Sequence, residues 1–416
     1  LLALSMGVGT LSGLCPAGDE ERLLAALCFG ADAVYLGATQ FGMRAGPKNF
    51  TMDALQKAVD LAHKQGVKVY LTCNTLPRND EIETMPDFLK AAEAAGVDAL
   101  IVADLGVLKL CKTHVPNLPV HISTQAGVVN FETARMFYEL GAKRVVTARE
   151  LRLSEIAEIR AKTPKDLEIE CFVHGAMCVS FSGRCLLSNY LTGRDANRGA
   201  CAQPCRWSYA LMEQTRKGEY FPIDEDETGT YILNSKDMCM LEHIPELVEA
   251  GVDSFKIEGR AKSAYYTAIV TNAYRAAIDG YLKNPSPDYK PEKWICEEPY
   301  KVSFRDYCTG FYFDDPKTEA NISLAGGYRR IWDVMGVVQE SDGKFLTVAQ
   351  RNKFCVGDTL ELLEKGKCPK TFTVSEMFLP DGTPIDAAPH PMMILKIPCA
   401  LSVPAGSLLR KQAENG

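Results

Sequence analysis

A chain of 416 residues, 46% hydrophobic and 24% charged, is too apolar to be disordered and longer than one hydrophobic core usually supports, so two domains or one large barrel with an appendage is expected. A formal net charge of −7 excludes a protein that coats nucleic acid by overall positive charge, although a local basic stripe remains compatible with it. No stretch approaches the roughly 18 apolar residues of a membrane span, and a cytoplasmic protein is the expectation.

Short β-branched or apolar runs alternate with helical patterns as far as about residue 283. The predicted strands are Leu11–Cys15, Ala33–Leu36, Val67–Leu71, Ala99–Val102, Val120–Ser123, Arg144–Thr147, Leu167–Val173 and Ser254–Ile257. Between them, stretches such as Glu20–Cys28, Met52–Gln65, Met85–Ala95, Asn130–Leu140 and Ser154–Ala161 carry apolar residues at three- and four-residue spacing. Several helices end in a glycine step into the next strand (Gly30, Gly66, Gly96, Gly141, Gly251), as a left-handed cap requires. Eight such units predict an α/β fold of the TIM-like (β/α)8 class over residues 1–283, with the active site at the C-terminal ends of the strands. A doubly wound sheet would also alternate, but Pro16-Ala-Gly-Asp19 stands after the first strand in place of a glycine-rich dinucleotide fingerprint.

The seventh unit is abnormal, because about 80 residues separate strands seven and eight. This insertion, taken as residues 174–250, holds most of a dense group of cysteines. Of the 15 cysteines, Cys171, Cys178, Cys185, Cys201, Cys205 and Cys239 fall together, while others such as Cys28, Cys111, Cys355 and Cys399 sit singly in apolar runs and read as buried thiols. An odd count in a long chain points to a reducing compartment rather than a stapled secreted scaffold. Around the group stand Gly, Ser, Asn and the arginines Arg184, Arg194, Arg198 and Arg206. Thiolates in such a setting suit an iron-sulfur cluster or zinc. Cys178, Cys185, Cys201 and Cys239 are the expected metal ligands, and their wide gaps favour a cluster over a zinc knuckle with closely spaced pairs. Zinc is the second choice, disulfides a distant third.

Polar groups recur at the strand ends: Arg44, Asn74, Gln125, Arg149, and on the last strand Lys256, Glu258 and Arg260. Alternation puts Lys256 and Glu258 on one side of their strand. Together these residues predict a barrel mouth that takes an anionic small molecule, most simply a carboxylate. Lys256, Glu258, Arg260 and His174 are the expected catalytic residues, with Arg44, Asn74, Gln125, Arg149, Arg184 and Arg206 binding substrate. Residues 284–326 are expected to link the barrel to a small antiparallel β-barrel over 327–416, where short alternating runs meet turn signals such as Asp342-Gly343 and Asp381-Gly382.

Pro16-Ala-Gly-Asp19, Phe41-Gly-Met-Arg-Ala45, His121-Ile-Ser-Thr-Gln125, the stretch His174 to Arg206, Asn234-Ser-Lys-Asp237 and Phe255-Lys-Ile-Glu-Gly-Arg260 resemble the collagenase-like peptidase family of unassigned mechanism, number 32, over nearly the whole chain. The sequence departs from the family pattern at Ser12, where a Glu is usual, and at Leu105, where a Pro is usual. The family includes proteins that hydroxylate tRNA, rRNA and quinones, and the length and terminal β-barrel are most similar to its tRNA branch. The resemblance implies a 4Fe-4S cluster on the four cysteines and prephenate, a dicarboxylate, as hydroxyl source for making 5-hydroxyuridine at the wobble position of tRNA. Two other functions stand beside this one. A peptidase is suggested by the family name, although the chain has neither a His-Glu-x-x-His pair nor a Gly-x-Ser-x-Gly elbow. The other is a non-catalytic RNA-binding or cluster-carrying partner of a separate enzyme.

Overall fold

The computed structural model describes residues 11–42, 49–178, 185, 187–194, 196, 199–206, 224–226, 229–231, 236–313 and 328–413. Eight parallel strands close a barrel: β1 (Ser12–Pro16), β2 (Ala33–Gly37), β3 (Lys68–Cys73), β4 (Ala99–Val102), β5 (Val120–Ile122), β6 (Arg144–Val146), β7 (Glu168–Ala176) and β8 (Ser254–Ile257). Each pairs with the next, and β8 closes the ring on β1 with Ser12 opposite Ser254. All eight predicted strands are present, two with the predicted bounds and the others displaced by one to three residues at an end, most at β7, which runs on to Ala176. Ser12 lies within β1, and the exposed Leu105 opens the helix after β4.

The helices start where a side chain can accept the orphan amide protons of the first turn. Asp19, Thr51, Asp104, Asn130 and Ser263 each do so, the last for the long helix Ala264–Lys283. Apolar faces of these helices bury against the strands in one continuous shell of core. A separate small cluster, Leu14, Ala33, Tyr35, Tyr70, Ala99 and Ile101, fills part of the barrel interior. Charged and polar side chains are buried beside it, among them Arg144, which lies 5.2 Å over the Tyr70 ring.

Past β7 the chain enters the insertion and returns on a short strand, Asp237–Cys239, which runs antiparallel to β7 and parallel to Tyr307–Cys308. The segment after the long helix is packed rather than loose. It forms the helix Lys293–Glu297 and buries Glu298 completely. The C-terminal unit is an antiparallel half-barrel of six strands, in the order Lys370–Thr373, Thr359–Leu363, Leu408–Gln412, Trp332–Ser341, Phe345–Gln350 and Ile394–Pro398. It has its own core around Leu346, Val348, Leu360 and Leu395. Arg410, fully buried in this sheet, meets Glu298 through two bonds of 2.6 and 2.7 Å and also reaches Glu361. Among the described residues no helix is long and apolar enough to cross a membrane.

Candidate active site at the barrel mouth

The C-terminal strand ends converge on a small pocket of about 50 Å³, lined among others by Asn74, Gln125, Arg149, Lys256, Glu258 and Arg260. Six residues singled out in the sequence are thus brought together from the ends of β3, β5, β6 and β8. Lys256 and Glu258 do face the same space, although the pairing of β8 with β7 slips after Lys256.

Below the mouth lies a group that sequence reasoning missed. Glu170 of β7 is 1% exposed and receives Lys256 Nζ at 2.8 Å, Arg144 Nη1 at 2.7 Å and Ser254 Oγ at 2.9 Å. Burial alone would raise its pKa, but the charges of Lys256 and Arg144 outweigh burial and hold it down at about 2. The alternation in Glu168-Ile-Glu170-Cys-Phe172 was the available signal, because it sets Glu170 on the face of Phe172, another residue of the pocket wall. Lys256 is therefore anchored in a buried ion cluster, its ammonium also 4.7 Å from the Tyr35 ring.

Arg149 spans the mouth. Its guanidinium sits 3.8 Å over the Phe172 ring, donates to the Ala176 carbonyl at 2.8 Å and stands 4.0 Å from Glu258. Tyr35 donates to the Ile257 carbonyl at 3.0 Å and lies 3.4 Å from Glu258 Oε2. Arg260, 2% exposed, donates to Thr72 Oγ1 at 2.8 Å. Glycines make room for it: a Cβ on Gly37 would come within 2.8 Å of Arg260 Nη1. Gly175, at φ +106°, lets β7 pass so close to β8 that a Cβ there would collide with the Glu258 carbonyl. Arg144, Arg149, Lys256 and Arg260 gather with Glu168, Glu170 and Glu258 at a largely buried site. His121 beside them adds no charge, since burial first and Arg144 second keep its imidazole neutral, well below the usual histidine range. Guanidinium and ammonium groups that line so small a pocket suit a small carboxylate.

Gln125, Arg149 and Glu258 also form part of the wall of a much larger cavity, of about 1060 Å³, between the mouth, the insertion and the C-terminal sheet. Cys178, Cys185, Cys201 and Cys205 all open on it. Ser188 braces their loop by donating to the Arg194 carbonyl at 2.8 Å and accepting the Ala202 amide proton at 2.9 Å. Of the four expected ligands, Cys178, Cys185 and Cys201 open on the cavity, while Cys239 is not among its lining residues. It lies opposite His174 on the return strand, packed toward Tyr274, and burial pushes its thiol up to about 12. Cys205, not chosen as a ligand in the sequence, also opens on the cavity.

His174 is likewise not brought to either cavity. It is 1% exposed and boxed by Tyr266, Tyr274 and Tyr307, with ring centroids 6.0, 5.5 and 5.3 Å away. Burial lowers its pKa to about 3. The structure sets this expected catalytic imidazole as a neutral ring packed behind the mouth. Arg44 and Arg184 lie outside the described residues, and the backbone of Arg206 belongs to the turn Pro204–Arg206.

Family models match residues 18–322, as Peptidase family U32, and residues 330–410, as the Peptidase family U32 C-terminal domain. The chain belongs to peptidase family U32. Among relatives in the family, the tRNA hydroxylation protein P1 of Bacillus subtilis is 38% identical over 400 residues, covering 96% of this chain and 94% of that one. An uncharacterized protease of Methanocaldococcus jannaschii is 47% identical over 305 residues, 73% of each chain. The 23S rRNA 5-hydroxycytidine C2501 synthase of Escherichia coli is 38% identical over 270 residues, 65% of this chain and 39% of its own. A solved U32 peptidase, Mk0906, covers 60% of this chain at 18% identity with a TM-score of 0.40.

The donor set fits a thiolate-bound centre in kind, since four cysteines share one cavity. Among the described residues, however, no three Cys, His, Asp or Glu side chains are gathered closely enough to hold a metal ion.

Proposed function

We propose that this protein hydroxylates tRNA, converting the wobble uridine to 5-hydroxyuridine with prephenate as hydroxyl source and a 4Fe-4S cluster on the cysteines of the insertion. The observation that carries the reading is the shared wall of the two cavities: Gln125, Arg149 and Glu258 divide a cationic pocket from one lined by four thiols. The names of the relatives in Bacillus subtilis and Escherichia coli support an RNA substrate. A dicarboxylate suits the cationic mouth, with Arg149 and Arg260 offering guanidinium groups to its carboxylates.

Hydroxylation exchanges the C5–H of uridine for the hydroxyl of the donor, so the base is oxidised by two electrons and the donor reduced by two. Glu258, held beside Tyr35 at the wall between the cavities, is placed to move the proton that leaves C5. An iron-sulfur cluster, when bound, supplies one-electron transfer. Cys178, Cys185 and Cys201 are three of its ligands; the fourth is Cys205 if the cavity wall decides, or Cys239 if the return strand rearranges.

The test uses protein purified without oxygen, an unmodified tRNA transcript and prephenate, with nucleosides read by mass spectrometry after one turnover. The expected product is 5-hydroxyuridine, absent when prephenate is left out. About four irons and four sulfides per chain should disappear in the Cys178→Ala, Cys185→Ala and Cys201→Ala variants, and whichever of Cys205→Ala and Cys239→Ala also loses them identifies the fourth ligand. Fully loaded protein that yields no product would leave the partner role instead. A peptidase reading rests on the name of the Methanocaldococcus relative. It lacks a thiol-imidazole pair, because among the described residues no histidine lines the thiol cavity. Peptide cleavage by metal-free protein would restore it.

A further inference from the structure

The large cavity has a second wall that the proposed chemistry does not use. It is built by the C-terminal sheet and the end of the barrel, and carries Tyr328, Arg330, Trp332, Arg351 and Lys262. Tyr328 is 43% exposed, with Lys262 Nζ 3.9 Å from its ring centroid. Arg330 is an exposed side chain, and Arg351 reaches across to Glu21 on the first barrel helix. Of the charged side chains lining the cavity, Arg149, Lys262, Arg330 and Arg351 outnumber Glu21 and Glu258 by two. A molecule with net charge −7 has thus gathered positive charge and aromatic rings on one face of one cavity.

Aromatic rings flanked by cations are what a single-stranded nucleotide requires. Its base stacks on a ring without regard to sequence, and its phosphates meet the cations. A volume of about 1060 Å³ exceeds the needs of a small carboxylate and admits a base with its ribose and phosphates. We propose that this wall is a nucleotide clamp, in which Tyr328 stacks on an unpaired base of the RNA, Lys262 and Arg351 hold its flanking phosphates, and the base is turned toward the barrel mouth. The clamp rests on the tRNA reading and adds to it the surface that takes the base out of its strand. The C-terminal unit is then part of the substrate site rather than a passive appendage. Residues from both units are needed to bind one nucleotide.

The experiment measures binding of a synthetic RNA hairpin, with uridine in its single-stranded loop, to the full-length protein by fluorescence anisotropy at two salt concentrations. Tyr328→Ala should weaken binding about tenfold, as loss of one stacked base does, while Tyr328→Phe keeps it. Arg351→Ala should weaken it and flatten its salt dependence. Ultraviolet crosslinking should join the loop uridine to Tyr328. Wild-type affinity in Tyr328→Ala, with crosslinks elsewhere, overturns the clamp while leaving the tRNA reading intact. A wild-type protein that does not bind the hairpin overturns both. Because Tyr328 is exposed, an unchanged thermal midpoint in its variants will separate lost binding from lost folding.

Discussion

Glu170 determines the electrostatics of the mouth without lining it. Its carboxylate balances Lys256 and Arg144 in a space closed to water, so Glu170→Gln leaves two buried cations facing a neutral amide. We expect a loss of roughly 3–5 kcal/mol in unfolding free energy, read by urea denaturation. His174 makes a pH prediction. Its folded pKa of about 3 lies below the ordinary 6.5, so between these values the unfolded chain binds a proton that the folded chain refuses. Its contribution is complete above pH 6.5 and declines as pH falls toward 3, by at most about 1.4 kcal/mol per pH unit. His174→Phe should flatten that part of the stability profile, measured by denaturation at a series of pH values. At this scale the sequence was legible where chemistry is dense near a strand end, as for Lys256, Glu258 and Arg260. The packing of His174 was not legible, because a motif shared with cysteines says nothing of the tyrosines that pack against its ring from residues 266, 274 and 307.

The elements explain what could be read locally and what the cysteines' spacing could not show. Strands and helices could be read from local period and from glycine steps, since each βα unit is made by neighbouring residues. The return strand Asp237–Cys239 could not, because its partners are β7 and Tyr307–Cys308, far away in sequence. That pairing turns Cys239 into the packed side of the barrel, whereas Cys205 follows the thiol loop into the cavity. Close approach of strands to the mouth was equally hidden, though the glycines that permit it were visible. Gly37→Ala should push the Arg260 guanidinium aside. Its expected signature is at least a tenfold higher donor concentration for half-maximal hydroxylation, with a thermal midpoint near that of the parent, as saturation kinetics and calorimetry would register. A variant with unaltered donor dependence would remove Arg260 from the site.

At the scale of the molecule, the barrel and the half-barrel are joined by the Arg410–Glu298 pair, both partners fully buried, with Glu361 and Lys301 beside them. Arg410→Leu strands two carboxylates inside this seam. We expect a cost of about 3–5 kcal/mol and calorimetric melting in two steps where the parent melts in one. The cations that line the barrel mouth have a consequence of another kind. A folded chain that gathers guanidinium and ammonium groups around one small pocket binds any small dianion that fits, whether or not it reacts, while the unfolded chain gains nothing from it. The protein should therefore report on its buffer: malonate or succinate should raise the melting temperature in proportion to the logarithm of concentration, chloride at matched ionic strength should do far less, and Arg149→Leu should abolish the difference. Through its melting point the molecule would act as a sensor for dicarboxylates, and a panel of them, ranked by the shift each produces, would outline the donor before any turnover is observed.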